Sequence, residues 1–143
     1  METDCEICSK RFFEFLLFLN DSDNLQKFVI QHKLVPESKK CPKCDSDLKI
    51  TKDYRFRCDR VRKESLYGGR KKVSRRCRNY LSALKGTFFE HSHLSIIKII
   101  ELSSWFLYNK QSQREVASEL DVSIRTVSDW FSFCREVVEF YIL

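Results

Sequence analysis

Residues 41–77 read CPKCDSDLKITKDYRFRCDRVRKESLYGGRKKVSRRC. Four cysteines, Cys41, Cys44, Cys58 and Cys77, divide this stretch in the pattern C-x2-C-x13-C-x18-C. Four thiolates can neutralise one Zn²⁺ and hold it tetrahedrally, and sites built from protein thiolates alone are closed and structural. The spacing predicts zinc as the cofactor, with these four residues as ligands. Disulfides, buried thiol pairs and an iron–sulfur centre are the other readings of four cysteines. The chain has seven cysteines, an odd number, and its N-terminus lacks the basic, apolar and small-residue pattern of a secretory leader. An intracellular protein is expected, nuclear if the source is eukaryotic.

Charge singles out the same stretch. Residues 51–78 hold 12 Lys or Arg against 3 Asp or Glu, whereas 1–50 hold 8 against 9 and 79–143 hold 6 against 8. One segment thus carries the whole excess of a chain whose formal net charge is +6. Such a patch attracts a polyanion through counterion release, without selecting a sequence. Arg70, Lys71, Lys72, Arg75 and Arg76 are its densest part and the expected phosphate contacts. A solvated loop is the bland alternative.

The short apolar and charged pieces within it are strand candidates. Leu48–Thr51 and Tyr54–Arg57 flank Lys52-Asp53 as a hairpin-like pair. Tyr54, Phe56 and Cys58 alternate with Arg55 and Arg57, the period of a half-buried strand. Gly68-Gly69 permits a sharp turn. Arg75–Ser82 reads as another strand or an irregular return. A metal ion lessens the need for a large apolar core here, because its binding supplies folding free energy.

The flanks read as helices. One is expected from about Arg11 to Phe18, and a second from about Asn24 to Gln31 after the turn or cap DSDN. Ser95 is a candidate N-cap for a helix from Ile96 to about Leu107, with Ile96, Ile99, Ile100, Ser103 and Leu107 at helical spacing. Residues 113–131, QREVASELDVSIRTVSDWF, then predict a short helix to Leu120, a turn over Asp121–Ser123, and a longer helix from Ile124 to about Tyr141. This is a helix-turn-helix pattern. Val116, Ala117 and Leu120 would pack on Val127, Trp130 and Phe131, with Val122 plugging the turn. Arg125, Thr126 and Ser128 are then the candidates for reading duplex DNA: Arg125 toward phosphate or guanine, the hydroxyls toward phosphate or a base edge.

Cys5 and Cys8 have the spacing of a metal pair, and His32, His91 or His93 are conceivable companions. Each histidine alone is better explained by packing or solvation. Cys134 is expected to be a small core residue.

The order of these motifs resembles the front end of Merlin-type transposases and their bacterial insertion-sequence relatives. The likeness runs from about Leu34 to Phe140 through LVPESKKCPKCDSDL, YRFRC, RRCRNYLSALKGTFFEHSHLSIIKII and ASELDVSIRTVSDWFSFCREV. It implies an N-terminal zinc-binding segment, a helical DNA-binding region, and recognition of mobile-element ends. The interval from Cys58 to Cys77 is longer than the compact spacing of that family. Family members continue into an acidic catalytic domain that would begin where this chain stops. Glu115, Glu119, Asp121, Asp129, Glu136 and Glu139 lie on short helices or their turn, so no complete set of metal-binding carboxylates for phosphoryl transfer is expected.

The resulting expectation is a mainly α fold with a small β zinc-ribbon-like module and a helix-turn-helix at the C-terminal end. Its segments are 1–36, helical; 37–85, the basic cysteine module; and 86–143, the helix-turn-helix region. Double-stranded DNA is the expected partner, with a homodimer or a protein partner as a further expectation. The run FFEFLLFL is interrupted by Glu14 and too short to span a bilayer, so no membrane role is expected. The expected function is binding, not catalysis. A zinc-stabilised protein-interaction adaptor is the alternative, and RNA binding a weaker third reading.

Overall fold

The computed structural model describes residues 5–65, 68–70 and 72–142. Within them the fold is mixed α and β. Its elements are α1 (Phe12–Leu19), α2 (Ser22–Gln31), β1 (Ser38–Lys40), β2 (Asp47–Lys49), β3 (Arg55–Cys58), β4 (Val61–Ser65), β5 (Lys72–Arg76), β6 (Asn79–Ser82), α3 (Ile96–Tyr108), α4 (Gln113–Leu120) and α5 (Ile124–Ile142). The strands form three two-stranded antiparallel sheets, β1–β2, β3–β6 and β4–β5. The described chain groups into two compact units. One combines the described parts of Met1–Leu25 and His91–Leu143; the other is Gln26–Glu90. None of the described helices is long and apolar enough to cross a membrane.

The first unit is helical. Leu102, Trp105, Val116, Ala117, Leu120, Val127 and Phe131 form one buried cluster contributed by α3, α4 and α5. Phe12 and Leu16 of α1 pack against it, as do Val122 and Trp130. The Phe12 ring stacks on Tyr108 at 4.2 Å and meets Trp105 edge-on at 4.8 Å. The helix ends follow from local chemistry. Ser95 caps α3 by accepting from the Lys98 amide, and Asn109 ends it in the left-handed conformation at φ 47°. Ser112 caps α4 in a reciprocal box with Glu115, and Asp121 ends it at φ 51°. Short polar side chains tolerate this region better than most. The α4–α5 connection is thus the three residues Asp121–Ser123, and Ser123 Oγ receives the Thr126 amide at 3.0 Å to start α5. The Trp130 indole donates to Ser103 Oγ at 3.2 Å and ties α5 to α3.

Leu107 departs from expectation. Its spacing suggested the buried face of α3, yet it is 76% exposed. Leu102 and Trp105 take the core positions instead, so the buried stripe is rotated toward them near the helix end.

The second unit contains all three sheets. Phe56 and Cys58 are buried and Arg55 and Arg57 exposed, as the alternation suggested. The expected hairpin around Lys52-Asp53 is present as a short one: the antiparallel bridge Ile50↔Phe56, the Thr51 amide donating to the Arg55 carbonyl at 2.9 Å and the Tyr54 amide to the Thr51 carbonyl at 3.0 Å. The longer ladders pair β2 with β1 and β3 with β6. The last turn of α2 supplies Phe28 and Val29 as buried residues, and Gln26 Nε2 donates to the Thr51 carbonyl at 2.9 Å. The stretch Arg75–Ser82 is broken into the end of β5 and β6, with Arg78 between them at φ 42°. Gly68, at φ 68°, lies between β4 and β5.

Candidate metal centre and basic ribbon

The cysteine site is assembled by two hairpins. Cys41 and Cys44 lie in the turn between β1 and β2. The Cys41 amide donates to the Ser46 carbonyl at 2.9 Å and the Asp45 amide to the Cys41 carbonyl at 2.8 Å, closing a tight knuckle. Cys58 ends β3, and Cys77 lies between β5 and β6, its amide bonded to the Arg60 carbonyl at 2.9 Å. The long interval between these two cysteines is the β4–β5 ribbon, so the added residues extend the chain without separating the thiols.

All four sulfurs lie within 4.8 Å of one another. Cys41 Sγ and Cys77 Sγ are 3.7 Å apart, and Cys44 Sγ and Cys58 Sγ 3.3 Å. A Zn–S bond of about 2.3 Å in a tetrahedron places sulfurs roughly 3.8 Å apart, close to the 3.7 Å pair. A disulfide needs about 2.05 Å, and the four cysteines are free. Cys41, Cys44 and Cys58 are buried and Cys77 is half-buried. The donor set therefore fits a soft, four-coordinate metal ion.

The surroundings divide the thiols into two kinds. The Ser46 hydroxyl, 2.9 Å from Cys44 Sγ, holds the Cys44 thiol down to about 6. Burial works against ionisation of Cys41, but the Asn79 amide, which donates to its sulfur at 3.5 Å, and the backbone of Lys43 and Cys44 hold it below the ordinary thiol value. The Arg60 amide favours the Cys58 thiolate, yet burial and the Cys44 thiol raise Cys58 overall. Burial, then the neighbouring cysteines, pushes Cys77 up to about 12. Four adjacent negative charges cannot coexist without a cation, and metal uptake must expel the remaining protons.

Cys5 and Cys8 are hydrogen-bonded to each other beside α1, and burial followed by Cys5 raises the Cys8 thiol. His91 and His93 are exposed. Cys134 is buried in α5, as its neighbours suggested.

The candidate phosphate contacts are distributed over the ribbon. Lys72, Arg75 and Arg76 lie on β5 and are exposed; Arg70 lies in the preceding turn; Lys71 falls outside the described residues. Arg75 pairs with Glu64 at 3.7 Å. Sequence reasoning passed over Arg62, which donates to the Cys44 carbonyl at 2.6 Å, and Lys63, exposed on β4. Strand alternation was the available signal for Lys63. Nothing in the sequence pointed to the Arg62 contact.

Arg125, Thr126 and Ser128 occupy the first turns of α5. Arg125 is exposed and 3.9 Å from Asp129. The Thr126 hydroxyl is engaged with Ser123 Oγ at 2.8 Å, and Ser128 is half-buried. Arg125 is therefore the most available of the three.

No family model, curated protein or solved structure matches the chain.

Proposed function

We propose that this chain is a DNA-binding module, related to the end-recognition part of Merlin-type transposases, with one structural zinc held by Cys41, Cys44, Cys58 and Cys77. The observation that carries the reading is the packing of α4 and α5 on α3. Two helices joined by three residues, with Val116, Ala117, Leu120, Val127 and Phe131 inward, leave Arg125 outward at the start of the second helix. The reading takes this packing as the support that a helix-turn-helix gives a recognition helix entering a major groove. The basic ribbon in the other unit supplies sequence-independent affinity. The zinc ion would supply folding free energy to that small unit, and the reading assigns the chain no chemistry of its own.

Selection from a random duplex library, using the zinc-loaded chain, tests the reading. An enriched motif is expected. Arg125→Ala relaxes one base preference by about 1–3 kcal/mol if it reads guanine bidentately, and weakens all sequences alike if it touches phosphate. Selected duplex incubated with Mg²⁺ or Mn²⁺ stays intact. Absence of duplex binding by chain with full zinc and helix content rejects the reading.

The second reading, a zinc-stabilised protein adaptor, is favoured by the exposed Phe140, Tyr141 and Ile142 of α5, at 80%, 82% and 77%. Contiguous exposed apolar surface of this kind marks protein contacts. Tight partner binding that added duplex leaves unchanged selects this reading.

A further inference from the structure

The β3–β6 and β4–β5 ladders share one register. Residue 55 pairs with 82 and 58 with 79; residue 61 pairs with 76 and 65 with 72, so the same pairing rule runs through both. The two sheets are one long hairpin interrupted at residues 59–60 and 77–78. Directly opposed residues share a face and neighbours along a strand alternate. This sorts the side chains of the β4–β5 ribbon. One face holds Arg62, Glu64, Val73 and Arg75. The other holds Val61, Lys63, Ser65, Lys72, Ser74 and Arg76.

The charges on the first face are already engaged. Arg62 is bonded to the Cys44 carbonyl, and Arg75 is paired with Glu64. By register this face continues the one carrying Phe56, Cys58 and Asn79, and Asn79 reaches the Cys41 sulfur. A cleft of about 190 Å³ beside Lys43 and Cys44 is bordered by Arg62, Glu64, Arg75, Arg76 and Cys77. Register places the first face on the knuckle side, although every residue of both strands is exposed. The second face carries three cations and no acid. Among the described residues, none of Lys63, Lys72 and Arg76 has an ion pair. The Ser65 hydroxyl donates to the Gly69 carbonyl at 2.7 Å at the end of the ribbon.

Resting on the DNA-binding reading, we infer that this outer face, Lys63, Lys72 and Arg76, is a docking surface for duplex DNA, and that Arg62 is a positioning residue that fixes the ribbon to the metal knuckle. Charge complementarity selects a polyanion, and shape selects among polyanions. Two strands about 5 Å apart and five residues long, roughly 17 Å, suit a B-form major groove about 12 Å wide. The deep, narrow major groove of A-form RNA does not admit them.

The test compares two charge-matched double variants of the full zinc-loaded chain. Lys63→Gln with Arg76→Gln removes two outer-face cations. Lys49→Gln with Arg75→Gln removes two cations elsewhere, one on β2 and one on the first face of the ribbon. Affinity for a B-form duplex is measured against salt concentration. Each lost phosphate contact lowers the slope of log K against log salt by about 0.9. The outer pair is expected to lower the slope by about 1.8 and the control pair by less than about 0.5, with both variants retaining their zinc. Equal losses from the two pairs overturn the assignment of a face. Loss of zinc from the outer pair alone shows those residues to be structural and overturns it too. No change from the outer pair, while Arg125→Ala still weakens binding, removes the ribbon from the interface but leaves the helix-turn-helix reading standing. No duplex binding by the unaltered chain removes both. Equal affinity for A-form RNA of the same sequence, with the same loss in the outer pair, rejects groove docking on DNA.

Discussion

Val127→Ala is the sharpest probe of the α3–α4–α5 packing. Val127 is fully buried, in the cluster shared with Leu102, Trp105, Val116 and Phe131. The substitution removes two methyl-sized groups, a transfer loss of about 1.6 kcal/mol at ~0.8 per group. An unrelaxed cavity adds on the order of 1 kcal/mol, at about 24 cal/mol per Å³. The expected cost is therefore about 2–3 kcal/mol. Val137→Ala is the matched control on the same helix, at a position 37% exposed. It should cost less than about 1 kcal/mol, since little apolar area leaves water there. Both Trp residues of the chain, Trp105 and Trp130, belong to or pack against this cluster. Tryptophan fluorescence in a denaturant titration therefore reports this unit separately from the one that carries the cysteine cluster. A lowered midpoint with an unchanged slope is expected for Val127→Ala. Equal costs at positions 127 and 137 would refute the packing, and with it the outward placement of Arg125.

Two further outcomes follow from hydrogen bonds at the helix end and the metal centre. Ser112→Ala removes the N-cap of α4 and is expected to cost about 0.5–2 kcal/mol by the same fluorescence titration. The Ser112 hydroxyl and backbone hold the Glu115 carboxyl below its usual range, so its contribution is full above the unfolded carboxyl value and is lost as pH falls through the lowered one. Ser112→Ala should flatten that acid limb of the stability profile, and an unaltered limb would place the titration elsewhere. Asn79→Leu deletes the donor to Cys41 while leaving all four thiols. It is expected to weaken zinc binding roughly 10–100-fold in a competitive chelator titration, and undiminished affinity would show that the Asn79 contact does not tune the site.

The parts legible in the sequence are those governed by local rules. Ser95 caps α3 because a short hydroxyl side chain precedes an apolar run, and that chemistry is written in a few residues. The clustering of Cys41, Cys44, Cys58 and Cys77 was readable from spacing, because four thiols so spaced can meet around one ion. The inward set of α4 and α5 followed from helical period. Strand partners were less legible. Leu48–Thr51 and Tyr54–Arg57 do meet, as their closeness in sequence suggests, but β3 also pairs with β6 across the whole ribbon. Local propensity does not encode a pairing over such a separation. Leu107 was misread for a related reason: helical spacing alone did not show that Leu102 and Trp105 fill the cluster and leave it exposed.

The basic segment illustrates how charge counting and register divide the work. Counting finds the excess between residues 51 and 78 but treats every cation in it as equivalent. Register separates them, because a strand offers each side chain only one of two faces. Arg75, among the densest charges by sequence, shares a face with Arg62 and is paired with Glu64; Lys63, inconspicuous between Arg62 and Glu64, lies on the opposite face. A polyanion would meet the second set and not the first. The same alternation that places Cys58 toward the other three thiols therefore decides which cations along the ribbon lie on the opposite face. In this hairpin the cysteine cluster and the outward cations are consequences of one register. A one-residue slip would move Lys63 to the knuckle side and Arg62 to the opposite face. Holding that register is a role the thiol site can serve through Cys58 and Cys77, which bracket the ribbon at its base.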